Sequence, residues 1–149
     1  ECCLIRTLGY RIDSLNSSMY AKQAIYRNYN TAKATKQMSE HIVIRERDYT
    51  ATLYFNSASR FYGYIVYAPL RPIGDEGIRD DLSELSNFMG SKYGKPLTKK
   101  GQVVLPERAG EKFEYETWRL QGFEVKVSII CDGRNIWVQE SVRNRNLSD

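Results

Sequence analysis

The stretch LSELSNFMGSKYGKPL, residues 82–97, contains the clearest structural element of the chain. Apolar side chains recur through it, and just before it, at intervals of four, three, four and four residues: Ile78, Leu82, Leu85, Met89 and Tyr93. This spacing is that of one face of an α-helix. Gly94 and Pro96 end the pattern, because glycine adopts the left-handed backbone conformation and proline cannot continue a helix. The pattern predicts one long amphipathic helix over about residues 76–93, with its apolar stripe buried.

Segments in which apolar and polar residues alternate lie on both sides of this helix, as expected for β-strands with one wet face. They cover residues 41–46, 49–55 and 61–68 before the helix, and 102–106, 112–120, 123–131 and 135–142 after it. Short turn sequences join neighbours, so the strands are predicted to pair antiparallel. The predicted fold class is α+β, an antiparallel sheet built from two β-meanders with the helix packed on one face.

The N-terminal part of the chain has a weaker pattern. Residues 3–12 alternate like a first strand, whereas residues 17–40 contain many helix formers without a continuous apolar stripe. We therefore expect a short N-terminal helix, with residues 1–40 as a candidate loosely packed extension. A chain of 149 residues has the length of one ordinary domain, so residues 1–149 are predicted to form a single α+β domain.

Charge and hydropathy limit the classes of partner. The net charge of +4 is concentrated in residues 1–47, which carry eight Lys/Arg against four Asp/Glu. A nucleic-acid binder usually has a denser basic surface. No window approaches the roughly 18 consecutive apolar residues of a membrane span, so none is predicted. The oligomeric state is left open.

The three cysteines bear on the compartment. Cys2 or Cys3 could form a disulfide with Cys131, which requires an oxidising environment, and three free thiols are the alternative. A chain that begins at Glu1 rather than Met is compatible with a removed signal peptide. We therefore expect an exported protein, periplasmic or associated with the cell envelope, with a cytoplasmic location as the alternative.

Catalytic and cofactor motifs are sparse. His41 is the single histidine and has no accompanying nucleophile motif, so a hydrolase centred on it is the weakest of the three function classes considered. Glu76, Asp80 and Glu84 share a helical face but lack the wrapping loop of a calcium site. Glu114 and Glu116 are placed on one face of a strand by simple alternation. No catalytic activity, cofactor or metal is predicted.

Tyrosine is the compositional exception, with eleven residues. Tyrosine combines an apolar ring with a polar tip and is enriched at protein interfaces. Tyr54, Tyr62 and Tyr64 are predicted to share the exposed side of the first hairpin, and Trp137 is a further candidate contact. The sequence thus favours a binding domain for a protein partner. The alternative is a single-stranded nucleic-acid-binding module that uses the basic N-terminal third.

Four segments within residues 78–142 carry a family resemblance: KYGKP (92–96), TWRL (117–120), FEVKVSII (123–130) and WVQES (137–141). A helix with this ending, followed by three such strands, resembles the C-terminal part of small exported bacterial proteins. The arrangement is also similar to the α+β modules of β-lactamase-inhibitor-like and SmpA-like envelope proteins. The resemblance implies an exported, non-catalytic domain that binds a protein or stabilises an envelope assembly.

Overall fold

A computed structural model describes residues 37–55, 61–120 and 122–144. Its elements are β1 (Gln37–Ile44), β2 (Arg47–Phe55), β3 (Phe61–Tyr67), β4 (Arg71–Pro72), α1 (Ile78–Tyr93), β5 (Thr98–Lys99), β6 (Lys112–Leu120), β7 (Phe123–Cys131) and β8 (Asn135–Asn144). The strands of this described part form one eight-stranded antiparallel sheet, so the α+β class is confirmed. The predicted strand at 3–12 and the short N-terminal helix fall outside the described residues.

The strands are ordered β1-β2-β3-β8-β7-β6-β5, and the short β4 also pairs with β8. The pairing of β3 with β8 joins the strands that precede the helix to those that follow it. In the register of that junction, Tyr64 lies opposite Leu53 on one side and Val142 on the other. Side chains of a strand alternate between the two faces, so these three share a face.

The helix covers this face of the sheet, which we call the inner face. The four stripe residues Ile78, Leu82, Leu85 and Met89 are buried, as the spacing predicted. They belong to one core cluster with the inner-face residues, among them Leu53, Val66, Val127, Val138 and Val142. Burying an aliphatic side chain of this size contributes about 2 kcal/mol, so the stripe is a major source of stability.

The two ends of the helix are held by different contacts. The helix begins at Ile78, with Gly77 in the N-cap position and without a side-chain cap. The C-terminal end is as predicted: Gly94 has φ 80° and donates its N–H to the carbonyl of Gly90 at 2.9 Å. The indole Nε1 of the buried Trp118 donates to the carbonyl of Gly94 at 3.0 Å, which ties this end to β6.

Two expectations about the strands after the helix are wrong. Residues 102–106 form no strand, because the position beside β6 is taken by β5, and Val103 and Leu105 instead pack partly buried against the core. Glu114 and Glu116 do not share a face, because the pairing of β6 with β7 shifts register between them. Glu116 is 3% exposed and accepts a hydrogen bond from Ser86 of the helix.

Candidate protein-binding surface

The face of the sheet opposite the helix, the outer face, carries a shallow depression of about 290 Å³. We call it the aromatic depression. Its lining comes from β2, β3 and β8 and from the two loops that follow β3 and β7: Thr52, Tyr54, Ile65, Tyr67, Leu70, Asp132, Trp137 and Gln139. Strand alternation places these strand residues together, since Tyr54, Ile65 and Trp137 are each one position away from a core residue.

Three hydrogen bonds fix the polar groups of this depression. The indole Nε1 of Trp137 donates to Oε1 of Gln139 at 3.2 Å, which orients the ring along the strand. Asp132 Oδ1 accepts the backbone N–H groups of Arg134 and Asn135 at 2.9 and 2.7 Å. These two bonds hold the pKa of Asp132 below its ordinary value, so the depression has a fixed negative charge at neutral pH.

A second depression, of about 460 Å³, adjoins the first, and we call it the acidic groove. It lies between the β1–β2 turn and the segment that leads from β3 to the helix. Its charged lining residues are Glu46, Arg47, Asp48, Arg71, Asp75 and Asp81, and its apolar wall includes Tyr49, Pro69, Leu70 and Pro72. Leu70 lines both depressions and is 51% exposed, so the two form one continuous surface. We call it the Leu70 surface.

An ion network around one buried carboxylate forms the floor of the acidic groove. Asp81 is 5% exposed and accepts hydrogen bonds from Arg71 Nε (2.6 Å), Arg71 Nη2 (3.1 Å) and Arg47 Nη1 (3.0 Å). The hydrogen bonds to Asp81 raise the pKa of Arg71 above its ordinary value. Sequence reasoning did not single out Asp81 as part of a site. The signal that marks it is its position, three residues after Ile78 and four before Leu85, beside the apolar stripe.

Asp75 closes the network at the start of the helix. Its Oδ1 accepts the backbone N–H of Gly77 at 2.8 Å, and its Oδ2 accepts from Arg71 Nη1 at 3.3 Å. The bond from Gly77, followed by that from Arg71, holds the pKa of Asp75 below its ordinary value. A side chain at Gly77 would collide with the Arg71 guanidinium, so a larger residue here would force Arg71 to shift away from its carboxylate partners. Asp75 is therefore an acceptor just before the helix, whereas Gly77 occupies the N-cap position.

The β1–β2 turn at the rim of the groove is strained. Arg45 and Glu46 have φ values of 49° and 67°. In this left-handed conformation the Cβ atom of any residue other than glycine crowds the backbone. Arg45 is held by the helix: its Nη2 donates to Ser91 Oγ at 3.1 Å, and its guanidinium lies 5.4 Å from the centre of the Phe88 ring. These contacts fix the turn and with it the position of Glu46.

A third depression, of about 360 Å³, lies beyond Tyr54 and Ile65 and has the opposite charge. Its charged lining residues are Lys112, Glu124, Lys126 and Arg143. Lys126 Nζ lies within 4 Å of carboxylate oxygens of both Glu114 and Glu124, and Lys112 Nζ lies 3.2 Å from Glu114. These ion pairs neutralise part of the positive charge on this side of the outer face.

The structure separates the four residues proposed from sequence as contacts. Tyr54 and Trp137 are half-buried and line the aromatic depression together. Tyr62 lies in β3, and its side chain is outside the described residues. The predicted exposure of Tyr64 is wrong: it is 1% exposed, because its register opposite Leu53 places it on the inner face. Sequence reasoning missed three residues of the depression. Leu70 and Asp132 lie in loops, where a single residue shows no pattern. Tyr67 lies in β3, where alternation alone does not show which strands contribute to a shared depression.

Two further candidates, His41 and Cys131, each have a close polar contact. His41 Nε2 lies 2.9 Å from Asp48 Oδ1, and both side chains are largely exposed. Cys131 is buried, and its Sγ accepts the N–H of Gly133 at 3.4 Å. Cys2 and Cys3 are outside the described residues, so their disulfide with Cys131 stays a prediction. The described segments contain no group of three or more His, Cys, Asp or Glu side chains arranged to hold a metal ion.

Comparison with known protein families, curated proteins and solved structures gave no match to this chain. The class that the described residues define is that of an α+β domain, with one sheet face covered by a helix and the other carrying the aromatic depression, which continues through Leu70 into the acidic groove beside the start of the helix. In the described part of the chain, no helix has the length and apolar character needed to cross a bilayer. The resemblance to exported envelope modules stays a prediction.

Proposed function

We propose that this chain is a non-catalytic protein-binding domain whose contact surface is the Leu70 surface. The observation that carries the proposal is the lining of the aromatic depression, in which Tyr54, Tyr67 and Trp137 lie side by side next to the exposed Leu70. Large aromatic side chains beside an aliphatic one are the residue types that dominate binding energy at protein interfaces.

The charge of this surface favours a protein over a nucleic acid. Counting Glu46, Asp48, Asp75, Asp81 and Asp132 against Arg47 and Arg71 gives five negative and two positive groups, a net charge of −3. Phosphate groups bind to positively charged surfaces, so a nucleic-acid backbone would be repelled here. The basic N-terminal third, on which the nucleic-acid alternative depends, lies largely outside the described residues.

We further propose that the protein is exported, that its sheet is organised as two meanders and that a short helix lies near its N-terminus. Export is supported by the sequence resemblance. The meanders are supported by the order β1-β2-β3 and β8-β7-β6 within the sheet. Fractionation of cells that express the natural full-length gene tests export, with recovery outside the cytoplasm as the expected result.

Photo-crosslinking tests the binding surface directly. A photoreactive phenylalanine analogue at position 67 or 137 of the full chain is expected to give a discrete crosslinked protein when the source cells are irradiated. The matched control is the same analogue at Arg108, which is exposed and outside all three depressions. Substitution of Leu70 by Asp should abolish the crosslinked product, because it places a charge at the centre of the apolar contact.

Crosslinking of equal strength from positions 108 and 137, or a product that persists in the Leu70→Asp variant, would reject the proposed surface. Thermal unfolding of each variant serves as the folding control. Leu70 and Arg108 are both exposed, so substitutions there should leave the melting temperature nearly unchanged.

A further inference from the structure

We infer that the partner of the Leu70 surface presents a basic segment, with a lysine or arginine side chain that enters the acidic groove next to an apolar residue in the aromatic depression. This inference rests on the proposed function and specifies the chemistry of its partner. It depends on the distribution of charge and apolar area around Leu70.

The sign of the charge is local to this surface. The whole chain has a net charge of +4, whereas the Leu70 surface has −3 by the count above. The depression beyond Tyr54 carries Lys112, Lys126 and Arg143 against Glu124, a net charge of +2. Positive charge therefore lies around the depression beyond Tyr54 and negative charge around the acidic groove, so of the three depressions formed by the described residues the acidic groove is the one that attracts cations. Complementary charge of this kind steers association and selects between partners.

The two arginines of the groove already donate hydrogen bonds to carboxylates of the same chain. Arg71 donates from all three guanidinium nitrogens, through Nε and Nη2 to Asp81 and through Nη1 to Asp75. Arg47 donates to the same Asp81. An incoming anion would compete with these partly buried bonds, which makes an acidic ligand unfavourable.

The remaining carboxylates are accessible to a cation. Glu46 is exposed at the turn. The side chain of Asp48 is 69% exposed, although its Oδ1 lies 2.9 Å from His41 Nε2. The apolar wall formed by Pro69, Leu70 and Pro72 suits the methylene stem of a lysine or arginine, whose charged end can then reach these carboxylates. The neighbouring rings of Tyr67 and Trp137 offer aromatic faces to an apolar residue or to a second cation.

The test uses the full chain and three fluorescein-labelled synthetic peptides of equal length. Each peptide has a central Trp-Leu pair flanked on both sides by lysine, by glutamine or by glutamate. Fluorescence anisotropy is expected to give the highest affinity for the lysine peptide, a lower affinity for the glutamine peptide and the lowest for the glutamate peptide. Binding of the lysine peptide should weaken as salt is raised, because screening reduces interactions between exposed charges.

Charge-removing variants locate the site. Glu46→Gln combined with Asp48→Asn should weaken the lysine peptide by about tenfold, since an exposed ion pair is worth about two- to fivefold in affinity. The same variant should leave the glutamine peptide unaffected. The control, Glu107→Gln with Glu111→Gln, removes the same charge from residues that line none of the three depressions and should change neither affinity.

The outcomes separate this inference from the proposed function. Equal binding of all three peptides, lost in Leu70→Asp, would overturn the basic partner while retaining the protein-binding surface. Absence of binding by every peptide would overturn both. Self-association of the chain that is abolished by Leu70→Asp would identify a second copy as the occupant and would also overturn the basic segment.

Discussion

The guanidinium of Arg71 holds both carboxylate oxygens of Asp81, with Nε 2.6 Å from Oδ2 and Nη2 3.1 Å from Oδ1. The pair connects β4 to the first turn of the helix, and Arg47 connects the same carboxylate to β2. One buried acid thus joins three elements beside the proposed binding surface. The network supports the groove from below and leaves the carboxylates at its rim available for contact.

Replacing Asp81 by alanine is expected to destabilise the fold by about 2–3 kcal/mol. The substitution leaves two arginines without their buried partner, and their partial exposure keeps the loss below that of a fully buried pair. The measurement is chemical denaturation monitored by circular dichroism. Asp80→Ala is the matched control, because this neighbouring acid is exposed, and its loss should cost no more than about 0.5 kcal/mol. Equal losses in the two variants would contradict the network.

Tyr64 and Tyr67 should respond differently to truncation. Tyr64→Ala is expected to cost about 3–5 kcal/mol, because it opens a cavity in the core between Leu53 and Val142. Tyr67→Ala should cost much less stability, since its side chain is only half-buried on the outer face. For crosslinking from position 137 and for peptide binding, Tyr67→Ala is expected to cause the larger loss and Tyr64→Ala the smaller one. Comparable melting temperatures for the two variants would show that the faces have been assigned incorrectly.

Acid should weaken the start of the helix through Asp75. Its folded-state pKa is lowered, so the unfolded chain binds this proton more tightly than the folded one. The stabilising contribution is therefore complete at neutral pH, begins to fade near pH 4 and is lost as the pH falls through the folded-state pKa. Melting temperatures between pH 6 and pH 3 should fall less steeply for Asp75→Asn than for the natural chain. Parallel curves would show that Asp75 contributes nothing to this acid sensitivity.

The strained turn offers a stabilising substitution. Glu46 has φ 67°, which glycine adopts at little steric cost, so Glu46→Gly is expected to stabilise the fold by about 1 kcal/mol. The same change removes a carboxylate from the acidic groove and should weaken the lysine peptide. Glu46→Gln supplies the control, because it removes the charge while keeping the strain. Loss of stability in the glycine variant would indicate that the turn is not held in this conformation.

Cys131 is expected to resist thiol reagents in the folded protein. It is buried, so labelling should require unfolding. Peptide mapping by mass spectrometry follows the modification. Unfolding without reductant then decides the predicted disulfide, since only an unpaired Cys131 becomes labelled. Rapid labelling of Cys131 under native conditions would contradict its position in the core.

The fold class and the helix could be predicted because periodicity reports burial when one face is apolar and the other polar. The stripe from Ile78 to Met89 satisfies that condition. Strand β3 does not, since Tyr64 and Val66 on one face and Ile65 and Tyr67 on the other are about equally apolar. Pairing with Leu53 decides which face enters the core, and that pairing is a tertiary property.

The site was predicted only in part for a related reason. Trp137 and Tyr54 could be selected by residue type and by alternation within their own strands. The ion network around Asp81 could not, because its two arginines come from β2 and β4, and the two-residue β4 is too short to show a pattern. Likewise, the position of Leu70 between two depressions depends on how the loop after β3 runs over the sheet.

The two tryptophans provide the most direct test of the central claim, that the Leu70 surface is where the partner binds. Trp137 lies in the aromatic depression, whereas Trp118 is buried in the core and serves as an internal control. In ¹⁵N-labelled full-length protein, the indole N–H resonance of Trp137 is expected to shift as the lysine peptide is added, while that of Trp118 stays in place. Saturable binding that leaves the Trp137 resonance unmoved, or that moves only Trp118, would contradict the account.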